Sequence, residues 1–221
     1  MGFRAAGTKP RPRMMVVAHI VGVGARAGVA GADAVLLSLP KAGLPRSLAK
    51  AFSGIPWGGW LEEVAGPGVK QLGKGGADFI VFPAASVSKA VLEEEDLGKV
   101  VEVEAGIEAS LLKSIDDLPV DAVLIAGEKP SLTWQDLMLF RRGANILTKP
   151  LLVTVSPEIS SSELQALCEA GVSGVVVGGK WAELRQMIDK LPSPKGGRRR
   201  AEPLVPRISG GVGSVDEEEE D

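Results

Sequence analysis

The sequence predicts an α/β chain whose eight parallel strands close into a compact (β/α)8 barrel with a shortened first helix. Three observations predict it. A strand-entry segment recurs four times through the middle of the chain, four further strand-like runs lie between the recurrences, and helical periodicity fills most of the gaps. The composition agrees. Of 221 residues, 45% are hydrophobic and 24% charged, with a formal net charge of -3, which is ordinary for a chain that buries a core.

The recurring segments are Gly31-Ala-Asp-Ala-Val-Leu-Leu, Gly76-Ala-Asp-Phe-Ile-Val-Phe, Pro119-Val-Asp-Ala-Val-Leu-Ile and Gly171-Val-Ser-Gly-Val-Val-Val. Their second residues, 32, 77, 120 and 172, are spaced 45, 43 and 52 residues apart. A glycine here ends a helix in the left-handed conformation, and the small polar residue starts the strand. The intervening strand runs are Met14 to Val21, Ile55 to Trp60, Val100 to Glu104 and Leu151 to Val155. Thr148-Lys149-Pro150 leads into the last of these, and proline suits the loop before a strand.

Helices are expected over Leu44–Phe52 and, weakly, over Val64–Leu72, where Gly66, Pro67 and Gly68 interrupt the pattern. Ile107–Ile115, Leu132–Phe140, Ser161–Ala170 and Trp181–Leu191 each carry an apolar stripe at helical spacing. Serines stand ready to cap the third of these four. Between Gly22 and Gly31 there is room for only one or two helical turns, so the first helix is degenerate. Strands alternating with helices imply a parallel sheet, and eight units close into a TIM-type barrel, here below the usual low end of ~200 residues. A doubly wound parallel sheet is the alternative, because periodicity alone does not reveal closure.

The ends differ from this middle. Residues 1–13 carry Arg4, Lys9, Arg11 and Arg13 and no acid, and read as a disordered basic leader. The order of basic and then apolar residues also resembles an export signal, but His19 interrupts the apolar run and no clean cleavage site follows. The barrel is assigned to residues 14–192. Residues 193–221 have no hydrophobic period. They carry the basic cluster Arg198–Arg200 and the acidic end Asp216–Asp221, and read as a disordered, solvated tail. Three arginines beside such an acidic run make a poor phosphate footprint, so no nucleic-acid partner is expected. No apolar run reaches the ~18–20 residues of a membrane span, so no membrane partner is expected either. The single Cys allows no internal disulfide, which points to a cytoplasmic protein.

One His and one Cys exclude a Cys/His zinc site or a redox Cys pair built by this chain alone. Chemistry falls to carboxylates, lysines and hydroxyls. Polar residues in mid-strand face the barrel interior, because the helix layer demands apolar contacts. Val101 and Val103 therefore face the helices, while Glu102 and Glu104 face inward, about 6.5–7 Å apart. Two such carboxylates suit general acid–base work; pairing with interior lysine or water is the structural alternative. The same logic turns Ser38, Thr154 and Ser156 inward, and His19 on strand one. Lys41, Glu62, Glu63, Glu128, Lys129 and Lys180 stand at strand ends, where barrel active sites lie. Lys41 is assigned to stabilising developing negative charge or forming a Schiff base.

Two glycine motifs stand out. Gly22-Val-Gly24-Ala-Arg-Ala-Gly28 follows a strand but lacks a long helix and a following acid, so it reads as a structural turn. Gly171-Val-Ser-Gly-Val-Val-Val-Gly178-Gly179, followed by a helix, resembles the last strand and loop of phosphate-binding TIM barrels. That broad group includes flavin-dependent oxidoreductases, thiamine-phosphate synthases and sugar-phosphate epimerases. The resemblance implies that Gly178 and Gly179 donate backbone N–H groups to a phosphate and that Lys180 adds charge. The loop Ser156-Pro157-Glu158-Ile159 lacks the glycine pair such sites carry after strand seven, and Glu158 opposes a phosphate there.

The functional expectation is a protein that binds a small phosphorylated or carboxylated metabolite, with carboxylate-based proton transfer of the lyase or isomerase type. The alternative is a degenerate, non-catalytic barrel that binds a ligand or a protein. No cofactor is required by the sequence. FMN at the strand-eight loop has few aromatic groups to stack on, and a divalent metal on His19 and the glutamates has no ligand motif behind it.

Overall fold

A computed structural model of the chain describes residues 13–22, 28–38, 52, 54–61, 66–86, 89–127 and 131–192. Within them the strands are β1 (Met15–Val21), β2 (Ala34–Ser38), β3 (Trp57–Trp60), β4 (Phe79–Pro83), β5 (Gly98–Glu104), β6 (Ala122–Ala126), β7 (Leu151–Thr154) and β8 (Gly174–Val177). Each pairs in parallel with the next, and β8 pairs with β1, which closes the barrel. Closure rules out the doubly wound sheet. The Met15–Val21 run is a strand paired on both sides.

The helices are α1 (Gly66–Lys74), α2 (Lys89–Glu93), α3 (Ala109–Ser114, followed by a 3-10 turn at Ile115–Asp117), α4 (Trp134–Ile146), α5 (Ser161–Ala170) and α6 (Trp181–Lys190). Gly66 and Pro67 begin α1 and do not interrupt it. Proline in a first turn lacks an N–H that would have no partner there anyway. Five-residue α2 is too short for its period to show in sequence. The stretch 28–33 is turn and coil; residues 23–27, most of the helix expected at Leu44–Phe52, and both terminal segments lie outside the described residues.

The recurring segment has a physical meaning at the N-terminal end of the barrel. Gly31, Gly76 and Gly171 take φ of 89°, 77° and 92°, turning the chain back toward the sheet. The third residue then clamps the preceding strand. Asp33 donates its N–H to the Val16 carbonyl at 2.8 Å and accepts the Val16 N–H on Oδ2 at 2.8 Å. Asp78 does the same to Trp57, at 2.8 and 2.9 Å, and Asp121 to Lys99, at 2.7 and 2.7 Å. Ser173 makes only the backbone half, to Leu151 at 2.8 Å. Each carboxylate serves an amide of a buried residue, where a lost partner is costly. Arg185 of α6 reinforces the first clamp: it pairs with Asp33 and donates to the Gly31 and Met14 carbonyls.

Strand alternation divides the core. Inward side chains, among them Val17, Leu36, Val81, Val100, Leu124 and Val176, form one cluster that fills the barrel. Outward side chains, including Val101 and Val103 as the alternation requires, pack against the helices. Phe79 occupies the space beside Gly58, where a Cβ would lie 2.5 Å from the ring. The interior is thus plugged by apolar groups, and the open face of the barrel is its C-terminal mouth.

Candidate functional site

At the mouth, four side chains from four strands form a connected row. His19, in the second half of β1, places Nε2 2.7 Å from the Ser38 hydroxyl of β2. Its ring lies 5.0 Å from that of Trp60, tilted by 46°. Trp60 Nε1 donates to Glu102 Oε2 of β5 at 2.7 Å. All four are half-buried and stand above the apolar plug. Glu102 and Ser38 therefore face inward as period two requires, and His19 joins them. Glu104, two residues further along β5, is exposed at the rim.

Trp60 is the residue that sequence reasoning missed. Its run, Trp57-Gly58-Gly59-Trp60, holds two tryptophans on opposite faces. Trp57 packs against the helices and Trp60 against the interior. The signal was the inward Gly58, which shares a face with Trp60. Lys41, Glu62, Glu63, Glu128 and Lys129 lie outside the described residues. Among the described residues no three His, Cys, Asp or Glu side chains are grouped to hold a metal ion.

The loop after β8 forms a second part of the mouth. Gly178 is exposed and Gly179 has φ of 139°, and a Cβ on either would meet no atom within 4 Å. Lys180 follows in the left-handed region, φ 51° and ψ 30°, the one non-glycine residue with positive φ among those described. It is the N-cap of α6 yet gives no side-chain cap. The contrast with α4 and α5 is informative. Thr133 and Asp136 form a capping box on α4, and Ser160 and Glu163 form one on α5. In each, a side chain serves one first-turn amide, whereas at α6, as at α3, no N-cap side chain does.

The Lys180 ammonium turns to Glu158 in the loop after β7, at 2.7 Å. That bond holds the Lys180 pKa above its ordinary value. The pair cancels the negative charge that opposed an anion from this side.

Thr154 ends β7 half-buried, with Oγ1 fully buried and without a hydrogen-bond partner. Ser156 is not on the strand as expected. It opens the turn that bonds Ile159 N–H to its carbonyl, and its hydroxyl accepts the Glu158 N–H at 3.2 Å. Pro157 follows at once and lacks the N–H a continuing strand needs. The Ser160 hydroxyl, then its backbone N–H, holds the Glu163 carboxyl below its ordinary pKa, and the Leu132 amide adds to this.

No family model matches the chain, and no curated protein does. Solved structures match its fold. A variant of the tryptophan synthase alpha-subunit from Pyrococcus furiosus aligns with a TM-score of 0.59 at 17% identity, covering 82% of this chain and 98% of that one. Tryptophan synthase from M. tuberculosis gives 0.58 at 14%, covering 80% and 91%. Thiamine phosphate pyrophosphorylase from Pyrococcus furiosus gives 0.58 at 13%, covering 81% and 97%. At these identities what is shared is the fold, an eight-stranded parallel barrel with alternating helices.

Proposed function

We propose that the protein binds a small phosphorylated or carboxylated metabolite at the barrel mouth and holds its anionic group on the Gly178–Gly179 backbone and the start of α6. The observation that carries this is the α6 entry. It has two glycines with open space beside them and first-turn amides without a side-chain cap, where two other helices carry capping boxes. Backbone N–H groups and the positive end of the helix favour an anion there. The fold shared with a thiamine phosphate pyrophosphorylase supports the same reading.

Glu102 is the group we assign to proton transfer in a lyase- or isomerase-type step. Trp60 donates to one oxygen of this inward-facing carboxylate, and a carboxylate at the mouth suits general acid–base work. Glu104 at the rim and Lys41 are assigned supporting roles, in binding and in stabilising developing negative charge. A cytoplasmic location accords with a lone cysteine, Cys168, whose pKa burial raises, and with the absence of any described helix long and apolar enough to cross a membrane.

Calorimetric titration with inorganic phosphate tests the anion site. Gly178→Asp is the decisive variant. Nothing crowds a side chain there, so the barrel should fold while phosphate binding is lost. Retained binding sinks the assignment. Glu102→Gln then separates catalysis from binding in a screen of phosphorylated metabolites. A purely binding barrel is the second reading. It is favoured by one observation: His19 and Glu102 already bond to Ser38 and Trp60. Turnover that survives Glu102→Gln removes that residue from the mechanism.

A further inference from the structure

The His19–Ser38 pair has no task in holding an anion at the start of α6, and the fold does not need it as a latch. β1 and β2 are already tied along their backbones from Val17↔Ala34 to Val21↔Ser38. The side-chain bond follows a register the ladder has set. Both residues are half-buried and stand above Val17 and Leu36 of the apolar plug. That is the C-terminal side of the strands, where barrel reaction sites lie. Nε2 lies 2.7 Å from Oγ, within the reach a base needs to take a hydroxyl proton.

The neighbours favour the charge such a transfer creates. A serine hydroxyl is a weak nucleophile until a base takes its proton. In the tautomer with its proton on Nδ1, His19 accepts the Ser38 O–H on Nε2. Taking that proton turns the ring into an imidazolium. The Trp60 indole lies 5.0 Å away, centroid to centroid, within the ~6 Å at which an aromatic ring attracts a cation. Glu102 accepts the indole N–H at 2.7 Å, which polarises the indole in the same sense. Nucleophile, base and the group that steadies the base therefore come from β2, β1 and β3, and β5 holds the last of them in place. Only the closed barrel brings them together.

We propose that Ser38 is a nucleophile with His19 as its general base, giving the mouth an acyl-transfer activity toward small carboxylic esters, apart from the proton transfer assigned to Glu102. Ser38 Oγ attacks the ester carbonyl carbon, and its proton passes to His19 Nε2. The C–O bond to the alcohol then breaks, and the alcohol leaves with the proton from Nε2. Water repeats the two steps on the acyl-serine, which releases the carboxylic acid and restores the hydroxyl. The test exposes the full chain to a small alkyl fluorophosphonate and reads the product by intact mass and peptide mapping. The wild-type chain should gain one adduct, on Ser38, and Ser38→Ala should gain none. His19→Ala should slow labelling by ~100-fold or more. Added imidazole, placed in the space the side chain leaves, should restore part of that rate, which a merely structural bond would not allow. An adduct on another residue alone, no adduct at all, or an unchanged rate in His19→Ala overturns the proposal. The wild-type mapping decides the point even where a variant fails to fold. Phosphate binding at Gly178–Gly179 is measured separately, so either site can fail while the other stands.

Discussion

Removing the Asp121 carboxylate tests whether the recurring Asp stabilises the barrel through its side chain. Asp121→Ala strips the acceptor from the Lys99 amide, which belongs to a residue only 9% exposed. The backbone half of the clamp remains. A buried amide that loses its partner costs about 1–3 kcal/mol. Asp121 itself stands at the surface, so water recovers part of that, and about 2 kcal/mol is expected. For a barrel of this length, 1 kcal/mol moves the melting temperature by about 2–4 °C, giving a drop of about 4–8 °C. Asp78→Ala should behave alike, because it serves the Trp57 amide in the same geometry. Asn at either position keeps an acceptor and should recover most of the loss. The fourth unit supplies an internal control. Ser173 clamps through its backbone alone, so Ser173→Ala should stay within about 0.5 kcal/mol. The assay is urea denaturation followed by circular dichroism, read as the midpoint at constant slope. A loss below about 0.5 kcal/mol in Asp121→Ala, or an equal loss in Ser173→Ala, refutes the clamp as the source of stability.

Other expectations concern packing, capping and the mouth. Gly58→Ala sets a Cβ 2.5 Å from the Phe79 ring and carbonyl oxygen and should destabilise by about 1–3 kcal/mol in thermal melts. Gly171→Ala combines φ of 92° with a Cβ 2.8 Å from that of Ala144, and a loss of similar size is expected, about 1–3 kcal/mol. The depressed Glu163 pKa means its cap contributes fully above the ordinary value of 4.5 and is lost as pH falls through the lower folded value. Glu163→Gln should therefore flatten the acid limb of melting temperature against pH, at a cost near neutrality of about 1 kcal/mol. Trp60→Phe deletes the donor to Glu102. It should destabilise by about 1–3 kcal/mol, and Glu102→Gln in the same chain shows by a double-variant cycle how much of the loss runs through the Trp60–Glu102 bond.

What the sequence revealed was local, and what it hid was long-range. The segments at Gly31, Gly76, Pro119 and Gly171 were legible because turn and strand start lie within seven residues. The inward set of β5 was legible because Val101 and Val103 alternate with Glu102 and Glu104. The length of α4 was not. Its apolar stripe fades after Phe140, and its C-terminal half is carried by contacts with α5. Trp60 was hidden as the partner of Glu102, because the bond spans 42 positions and depends on barrel closure. The Asp clamps were hidden for a related reason. The recurrence was visible, but the amides it serves sit on the preceding strand, 17, 21 and 22 positions earlier. Ser156 was misplaced because a strand's last residue depends on where its neighbour stops pairing.

Arg13 donates to the Leu191 carbonyl, so the first described residue and the end of α6 meet at one spot. That spot is on the closed floor of the barrel, where Arg185 also gathers Met14 and Gly31. The barrel can therefore be handled from one side. A tag, a fluorophore or a surface tether joined beyond either residue is anchored on the face away from the mouth. A short peptide bridging positions 13 and 191 would close the chain into a ring, freeing an exposed turn such as Gly106 for new termini without cutting a strand.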